Sequence, residues 1–355
     1  MNMELGKFMA TGIGSMPFTS AEQAVDVILS KIPHAPHWPQ LPKLGFCEQM
    51  EVQYTEGLPC VKLDAAKSRI HMDSTGDYSE AFADFYSKFE QAVTEGRVDP
   101  SLGLGEDFAH GVHALERRLK AEGAKQPFVK AQTTGPLTFT LAVTDQDKRA
   151  LYYNEEFRDL CVKAAIVKSL WQIHRLKPYA ERVICFLDEP ILTAFGSSTY
   201  VTVKREDVVA LIGEAVSAVK AAGAVSGIHC CGNTEWSIPL EAGVDILNFD
   251  AFSYGSSLAM YAEAVKKHLQ GGGCLAWGIV PTSAAIQGQT PETLAEKLEG
   301  YFGELNRKGI DKALLAQKAL LTPSCGTGTL EPAVAERVYD TVAKLSTLMK
   351  SRYGF

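Results

Sequence analysis

Short apolar or β-branched runs alternate with longer amphipathic stretches along the whole chain, and this alternation constrains the fold more than any other feature. Residues 8–13, 43–47, 128–133, 183–187, 225–230, 244–249, 274–279 and 313–321 read as strands. Residues 155–175, 205–221, 257–270 and 331–350 read as amphipathic helices, their apolar residues recurring at helical spacing. Thr19-Ser20-Ala21-Glu22 and Thr290-Pro291-Glu292 mark two further helix starts, by cap, early acid and first-turn proline. Repeated β-α units build a parallel sheet covered by helices, and eight strands predict a (β/α)8 TIM barrel, a single α/β domain spanning residues 1–355. Residues 60–126, between the second and third strands, are too long for a simple connection. They carry helical patterns at 78–95 and 106–122, and are expected to form an inserted lid or side wall. Residues 32–42 hold four prolines and are expected to be an extended loop.

The formal net charge is −7 and no run of Lys or Arg occurs, which argues against nucleic acid or an anionic membrane as the main partner. The first residues, Met1-Asn2-Met3-Glu4-Leu5-Gly6-Lys7, lack the pattern of a secretory leader, and no apolar run is long enough to span a bilayer. A cytoplasmic location is expected. Eight scattered cysteines do not resemble a secreted disulfide framework and fit reduced thiols, some available to a metal.

The chemistry points to Gly227-Ile228-His229-Cys230-Cys231-Gly232-Asn233. Side chains alternate along a strand, so His229 and Cys231 face the same way, close enough to hold one ion. Cys325 in Pro323-Ser324-Cys325-Gly326 offers a third ligand and Asp250 an acidic fourth. One imidazole and two thiolates suit Zn²⁺ better than Mg²⁺ or Ca²⁺. The same residues also fit a histidine buried beside two core cysteines. In a barrel the chemistry collects at the carboxyl ends of the strands. Those ends carry Ile13-Gly14-Ser15, Glu48 and Glu51, Thr134-Gly135-Pro136, Asp188-Glu189-Pro190, His229 with Cys231, Asp250, and Cys325. Asp188, directly after a buried run, is placed to hold a substrate ammonium. Gly14 and Gly135 equally fit tight turns, and Asp188 and Glu189 a cap and a surface charge. By alternation Cys185 and Cys230 belong to the core, and His34, His37, His110 and His113 read as loop and surface residues.

In this order the segments resemble the superfamily that unites cobalamin-independent methionine synthase, uroporphyrinogen decarboxylase and the coenzyme M methyltransferases, in a single-barrel form. Ile13-Gly14-Ser15 is similar to the homocysteine-binding turn of the synthase. Thr134-Gly135-Pro136 and Asp188-Glu189-Pro190 match its Thr-Gly-Pro and Asp-Glu-Pro segments, and the resemblance gives Asp188 the homocysteine amine. His229-Cys230-Cys231-Gly232-Asn233 looks like the His-x-Cys-Gly-Asn of the coenzyme M enzymes, and Pro323 to Gly326 carries the distal zinc ligand of both groups. The chain departs from the synthase in having Asp250 where the family has a ligating Glu. It also leaves Glu48 and Glu51 as alternatives for the second amine-binding acid, and lacks the amino-terminal barrel that helps to hold the folate.

The resemblance implies a zinc-dependent transfer of a methyl group to a small thiol, homocysteine giving methionine. It implies a methylcorrinoid, free or carried by a corrinoid protein, as donor in preference to methyl-tetrahydrofolate. A free thiol has a pKa of about 8.5, and binding to zinc removes its proton. Three other readings remain open: transfer to coenzyme M or another small thiol, a metal-free decarboxylase of the porphyrinogen type, and a non-catalytic zinc- or corrinoid-binding protein. Between residues 1 and 60 there is no arginine to meet the acidic side chains of a porphyrinogen.

Overall fold

The computed structural model describes residues 4–355, so Met1 to Met3 of the amino-terminal stretch lie outside the described residues. Its strands are β1 (Met9–Ala10), β2 (Val61–Asp64), β3 (Arg69–Met72), β4 (Gln126–Thr134), β5 (Thr144–Asp145), β6 (Ala180–Asp188), β7 (Val225–Cys230), β8 (Ile246–Phe249), β9 (Cys274–Val280) and β10 (Ala319–Pro323). Seven of them form one curled parallel sheet in the order β1-β10-β9-β8-β7-β6-β4. Every residue of β7, β9 and β10 is buried, as expected of parallel strands covered on both faces. The helices are α1 (Ala21–Lys31), α2 (Met50–Gln53), α3 (Ser79–Glu95), α4 (His110–Glu122), α5 (Pro136–Ala142), α6 (Glu155–Leu176), α7 (Arg205–Ala221), α8 (Ser237–Glu241), α9 (Ala251–Tyr254), α10 (Ala262–Gln270), α11 (Pro291–Arg307), α12 (Lys312–Gln317) and α13 (Pro332–Tyr353). Ser20 caps α1 by accepting from the Gln23 N–H, and Thr290 with Thr293 forms a reciprocal capping box before α11. No helix among the described residues is long and apolar enough to cross a membrane.

The sheet departs from eight regular strands. The strand expected at 43–47 is absent, and Phe46–Glu48 is a single 3-10 turn. The gap between β4 and β1 is bridged instead by the proline-bearing segment. On one side Phe128 N–H donates to the His34 carbonyl at 3.0 Å and Lys130 N–H to that of Pro36 at 2.8 Å. On the other, Gln40 N–H donates to Gly14 and Met16 N–H to Gln40, at 3.1 and 2.8 Å. Pro33, Pro36, Pro39 and Pro42 recur at every third position and bring no N–H, so the segment accepts hydrogen bonds where it can but cannot build a ladder. The first part of the run expected as a strand at 313–321 is instead α12, and the strand begins at Ala319.

The insertion contains α3, α4 and a hairpin the helical patterns did not reveal. Strands β2 and β3 pair antiparallel, and β3 pairs with β5 in a separate three-stranded sheet. Tyr78 and Phe82 pack against Phe157 of α6 with ring centroids 5.1 and 5.2 Å away. Deeper in α6, the fully buried Lys168 donates to the carbonyls of Glu56 and Gly103 at 2.5 and 2.6 Å. A buried ammonium needs such acceptors, so this one ties the backbone at Glu56 and Gly103 to α6.

His37, expected in a loop or at the surface, is fully buried in the bridging segment. Its Nδ1–H donates to the Trp38 carbonyl at 2.9 Å, which leaves Nε2 to accept from the Tyr339 hydroxyl of α13 at 2.6 Å. Gly12 admits this pair, since a Cβ there would stand 2.3 Å from His37 Nε2. Burial, with Lys130 nearby, lowers the His37 pKa to about 3 from an ordinary 6.5. The unfolded chain therefore takes up this proton first, and stability present above pH 6.5 drains away as the pH falls toward 3. Between pH 7 and pH 5, urea unfolding should show wild type losing about 2 kcal/mol more than a His37→Gln variant. Equal losses would contradict the assignment.

Candidate metal centre

The register of the parallel sheet assembles the site. Asp188 at the end of β6 pairs with His229 of β7, and His229 pairs with Asn248 of β8. Three polar side chains thus share one row at the carboxyl ends of neighbouring strands, and Cys231 follows on the face of His229. Cys325 arrives from the turn after β10. There the register with β9 shifts between Thr322 and Pro323, an irregularity that re-aims the residues beyond it. Gly278 makes the close approach possible, because a Cβ would stand 2.4 Å from the Phe249 carbonyl oxygen and 3.0 Å from Ser324 Cα.

One ligand atom each from His229, Cys231 and Cys325 lies within 4.8 Å of the others. His229 Nδ1 meets Asn248 Oδ1 at 2.5 Å. The Asn248 amide is held in that orientation, for its Nδ2 donates to the Ala276 carbonyl and to Thr322 Oγ1, both at 2.8 Å. Nδ1 must therefore carry the proton, and Nε2 keeps its lone pair. That Nε2 is buried with no hydrogen-bond partner. The neighbouring Cys325 thiol, and then the His229 ring, hold the Cys231 pKa well below the ordinary thiol value, while the same thiol pairing drives Cys325 upward. A bare imidazole nitrogen, a thiol that ionises easily and a second thiol form a donor set that fits zinc. Asp250, the expected acidic ligand, stands outside this cluster. Its carboxylate caps α9, accepting from the Ser253 N–H at 2.9 Å.

A cavity of about 340 Å³ opens on the cluster, lined by Ile13, Ser15, Gln40, Lys43, Glu48, Met50 and Asp188 together with the three ligands. Asp188 is 5% exposed, and its Oδ1 has no partner. Burial raises its pKa to about 6, against the pull of Lys130 and His229. Lys130 is itself fully buried beneath the site, donating to the Ile13 carbonyl at 2.5 Å and to Gln132 Oε1 at 3.2 Å. Ile13 and Ser15 reach the cavity, whereas Gly14 lies against the Gln40 side chain.

Three of the residues expected at the substrate are committed elsewhere. Glu189 accepts from the N–H groups of Leu137 and Thr138 at 2.9 and 2.7 Å, capping α5. It lies so close to Gly135 that a Cβ there would stand 2.3 Å from the carboxyl group, so Gly135 serves this cap. Thr134 Oγ1 donates to the Met50 carbonyl at 2.8 Å and holds the cavity wall. Of the two alternative acids, Glu48 lines the cavity, but its carboxylate accepts from Leu41 N, His110 N, His110 Nδ1 and Gln53 Nε2 at 2.8–3.1 Å. Glu51 lines a different cavity, which reaches Ala65, Ser68 and Ile70 around the inserted hairpin.

Asn248, Gln40 and Lys130 were not singled out from the sequence. Two carried a signal. Asn248 is a lone polar residue inside an apolar run and Lys130 a charged residue inside an expected strand, and a buried polar group in a parallel strand requires a partner. Gln40 had none, because it lies in the irregular segment.

No family model matches the sequence, and no curated protein matches it. Two solved structures resemble the chain over nearly all of its length. One is described as a vitamin-B12 independent methionine synthase from Listeria monocytogenes, with 14% identity, a TM-score of 0.58, and coverage of 99% of this chain and 100% of that one. The other is a methyltransferase from Methanosarcina mazei, with 12% identity, a TM-score of 0.50, and coverage of 94% and 93%. At such identities the likeness is one of fold, consistent with the superfamily that the motifs resemble, and the chain shares that fold with these two proteins almost from end to end.

Proposed function

We propose that the protein is a zinc-dependent methyltransferase that methylates a small thiol, homocysteine giving methionine. One observation carries this reading: the unpartnered Nε2 of His229 faces Cys231 and Cys325 in the same cavity wall that presents the unpartnered Oδ1 of Asp188. A metal centre and an anionic acceptor side by side suit a substrate with a thiol at one end and an ammonium at the other. The likeness of fold to structures described as a methionine synthase and a methyltransferase supports methyl transfer. The methylcorrinoid expected as donor gains no support from the cavity or the comparisons, and the proposal is confined to the acceptor.

His229, Cys231 and Cys325 would hold the zinc, which when bound supplies the positive charge that ionises a thiol at neutral pH. Asn248 fixes the His229 tautomer and ring plane. Asp188 orients the substrate through its ammonium, and Lys130 keeps the Ile13 turn in place by holding its carbonyl. The acceptor sulfur needs no base once its proton is gone, so the remaining task of the chain is alignment.

About one zinc per chain is expected in wild type and a clear loss in Cys325→Ser, with X-ray absorption gaining a sulfur ligand on addition of homocysteine. A wild type that takes up no zinc under reducing conditions would end the reading. Asn248→Leu should weaken zinc roughly ten- to a hundredfold, as measured by chelator competition; unchanged affinity would remove Asn248 from the site. Asp188→Asn should raise the KM for homocysteine by roughly tenfold or more, since a hydrogen bond between charged groups is lost. Activity that survives unchanged would instead point to a thiol without an ammonium, of the coenzyme M kind.

A further inference from the structure

The resemblance offered Glu48 or Glu51 as the second acid for the substrate ammonium; Glu48 lines the cavity but its carboxylate is already met by internal donors, and Glu51 lies at another cavity. An ammonium has three N–H donors, and Asp188 alone leaves some of them unmet by the chain.

Gln40 is 6% exposed and lines the same cavity. Its amide orientation follows from a chain of acceptors. The Glu48 carboxylate can only accept, so it takes an N–H of Gln53 Nε2, whose amide also donates to the Phe108 carbonyl. Gln53 Oε1 is thereby turned to Gln40 and accepts from Gln40 Nε2 at 2.9 Å. The second N–H of Gln40 Nε2 goes to the Tyr54 hydroxyl at 3.2 Å, which is free to accept because it donates to the Gln132 carbonyl at 2.7 Å. Both donors of Gln40 are used, and Oε1 is left without a hydrogen-bond partner in the chain, on a side chain that lines the cavity. Gly14 keeps that side open, for a Cβ there would stand 2.6 Å from Gln40 Oε1.

We infer that Gln40 Oε1 is the second acceptor for the substrate ammonium, so that the cavity selects α-amino thiols with one carboxylate and one neutral amide. The inference rests on the reading of the site as a thiol methyltransferase. A neutral partner has a physical advantage: a second carboxylate beside the buried Asp188 would raise the cost of ionising both, whereas an amide adds an acceptor without adding charge. The Glu48–Gln53–Gln40 chain therefore acts at a distance, the buried acid setting which end of the glutamine the substrate meets.

Calorimetric binding of homocysteine and of 4-mercaptobutanoate, which lacks the amino group, to the zinc-loaded protein tests this. Gln40→Met, similar in size and without the acceptor, should weaken homocysteine roughly ten- to a hundredfold and leave 4-mercaptobutanoate within about twofold. Gln53→Leu, which removes the partner that orients Gln40, should show the same selectivity with a smaller loss. This second variant keeps the question open to test if Gln40→Met does not fold, as judged by zinc content and thermal melting. Equal weakening of both thiols, or of neither, in the folded variants would overturn the inference while leaving the function standing. Wild type that binds neither thiol would overturn the proposed function and this inference with it.

Discussion

The hydrogen bond between His229 and Asn248 is the constraint on which the candidate site depends. An imidazole can present either nitrogen, and a metal site needs that choice made in advance. Here it is made by an amide that cannot turn, because Ala276 of β9 and Thr322 of β10, the next two strands of the same sheet, hold its other end. Removing Asn248 would leave the ring free to choose its tautomer and would leave two acceptors in the sheet unmet. The ligand set and the interior of the sheet are thus one hydrogen-bonded unit, and the stiffness of the parallel strands passes directly to the ligand.

A second constraint comes from the proline-bearing segment. It cannot form a ladder, yet it must cover the edge between β4 and β1, and it does so with hydrogen bonds made only where its own N–H or carbonyl groups are available. Irregular backbone carries its side chains at angles that a strand would not allow. His37 turns inward to Tyr339, Trp38 reaches Gln172 of α6 at 2.7 Å, and Gln40 reaches the cavity. The same irregularity that interrupts the sheet supplies one wall of the site.

Charge inside the molecule is distributed by the same economy of partners. Lys130, Lys168, Glu48 and Glu189 are all buried, and each is met by several polar groups of the backbone or of neighbouring side chains. Asp188 is the exception, with one oxygen left bare at the cavity wall. Among buried carboxylates, an unmet one is the expensive arrangement, and it marks the place where a substrate rather than the chain completes the hydrogen bonding.

By itself the sequence determined the parallel strands and the donors at their ends. Those are local properties: β9 runs apolar because both of its faces are covered, and His229 and Cys231 share a face because side chains alternate. It also determined that residues 32–42 could be neither helix nor regular strand, since proline has no N–H to give. It misled at 43–47 and at 313–318, where apolar residues that look like strand are a turn and a helix packed on the core. Only the tertiary structure decided which acids are free. Glu48, Glu189 and Asp250 resemble Asp188 in sequence as acids at or just beyond strand ends, but N–H groups from Leu41, His110, Leu137, Thr138 and Ser253 meet the first three and none meets Asp188 Oδ1. Whether a carboxylate is satisfied depends on which backbone donors the fold brings to it, often from residues far away in the chain, and no local pattern records that meeting.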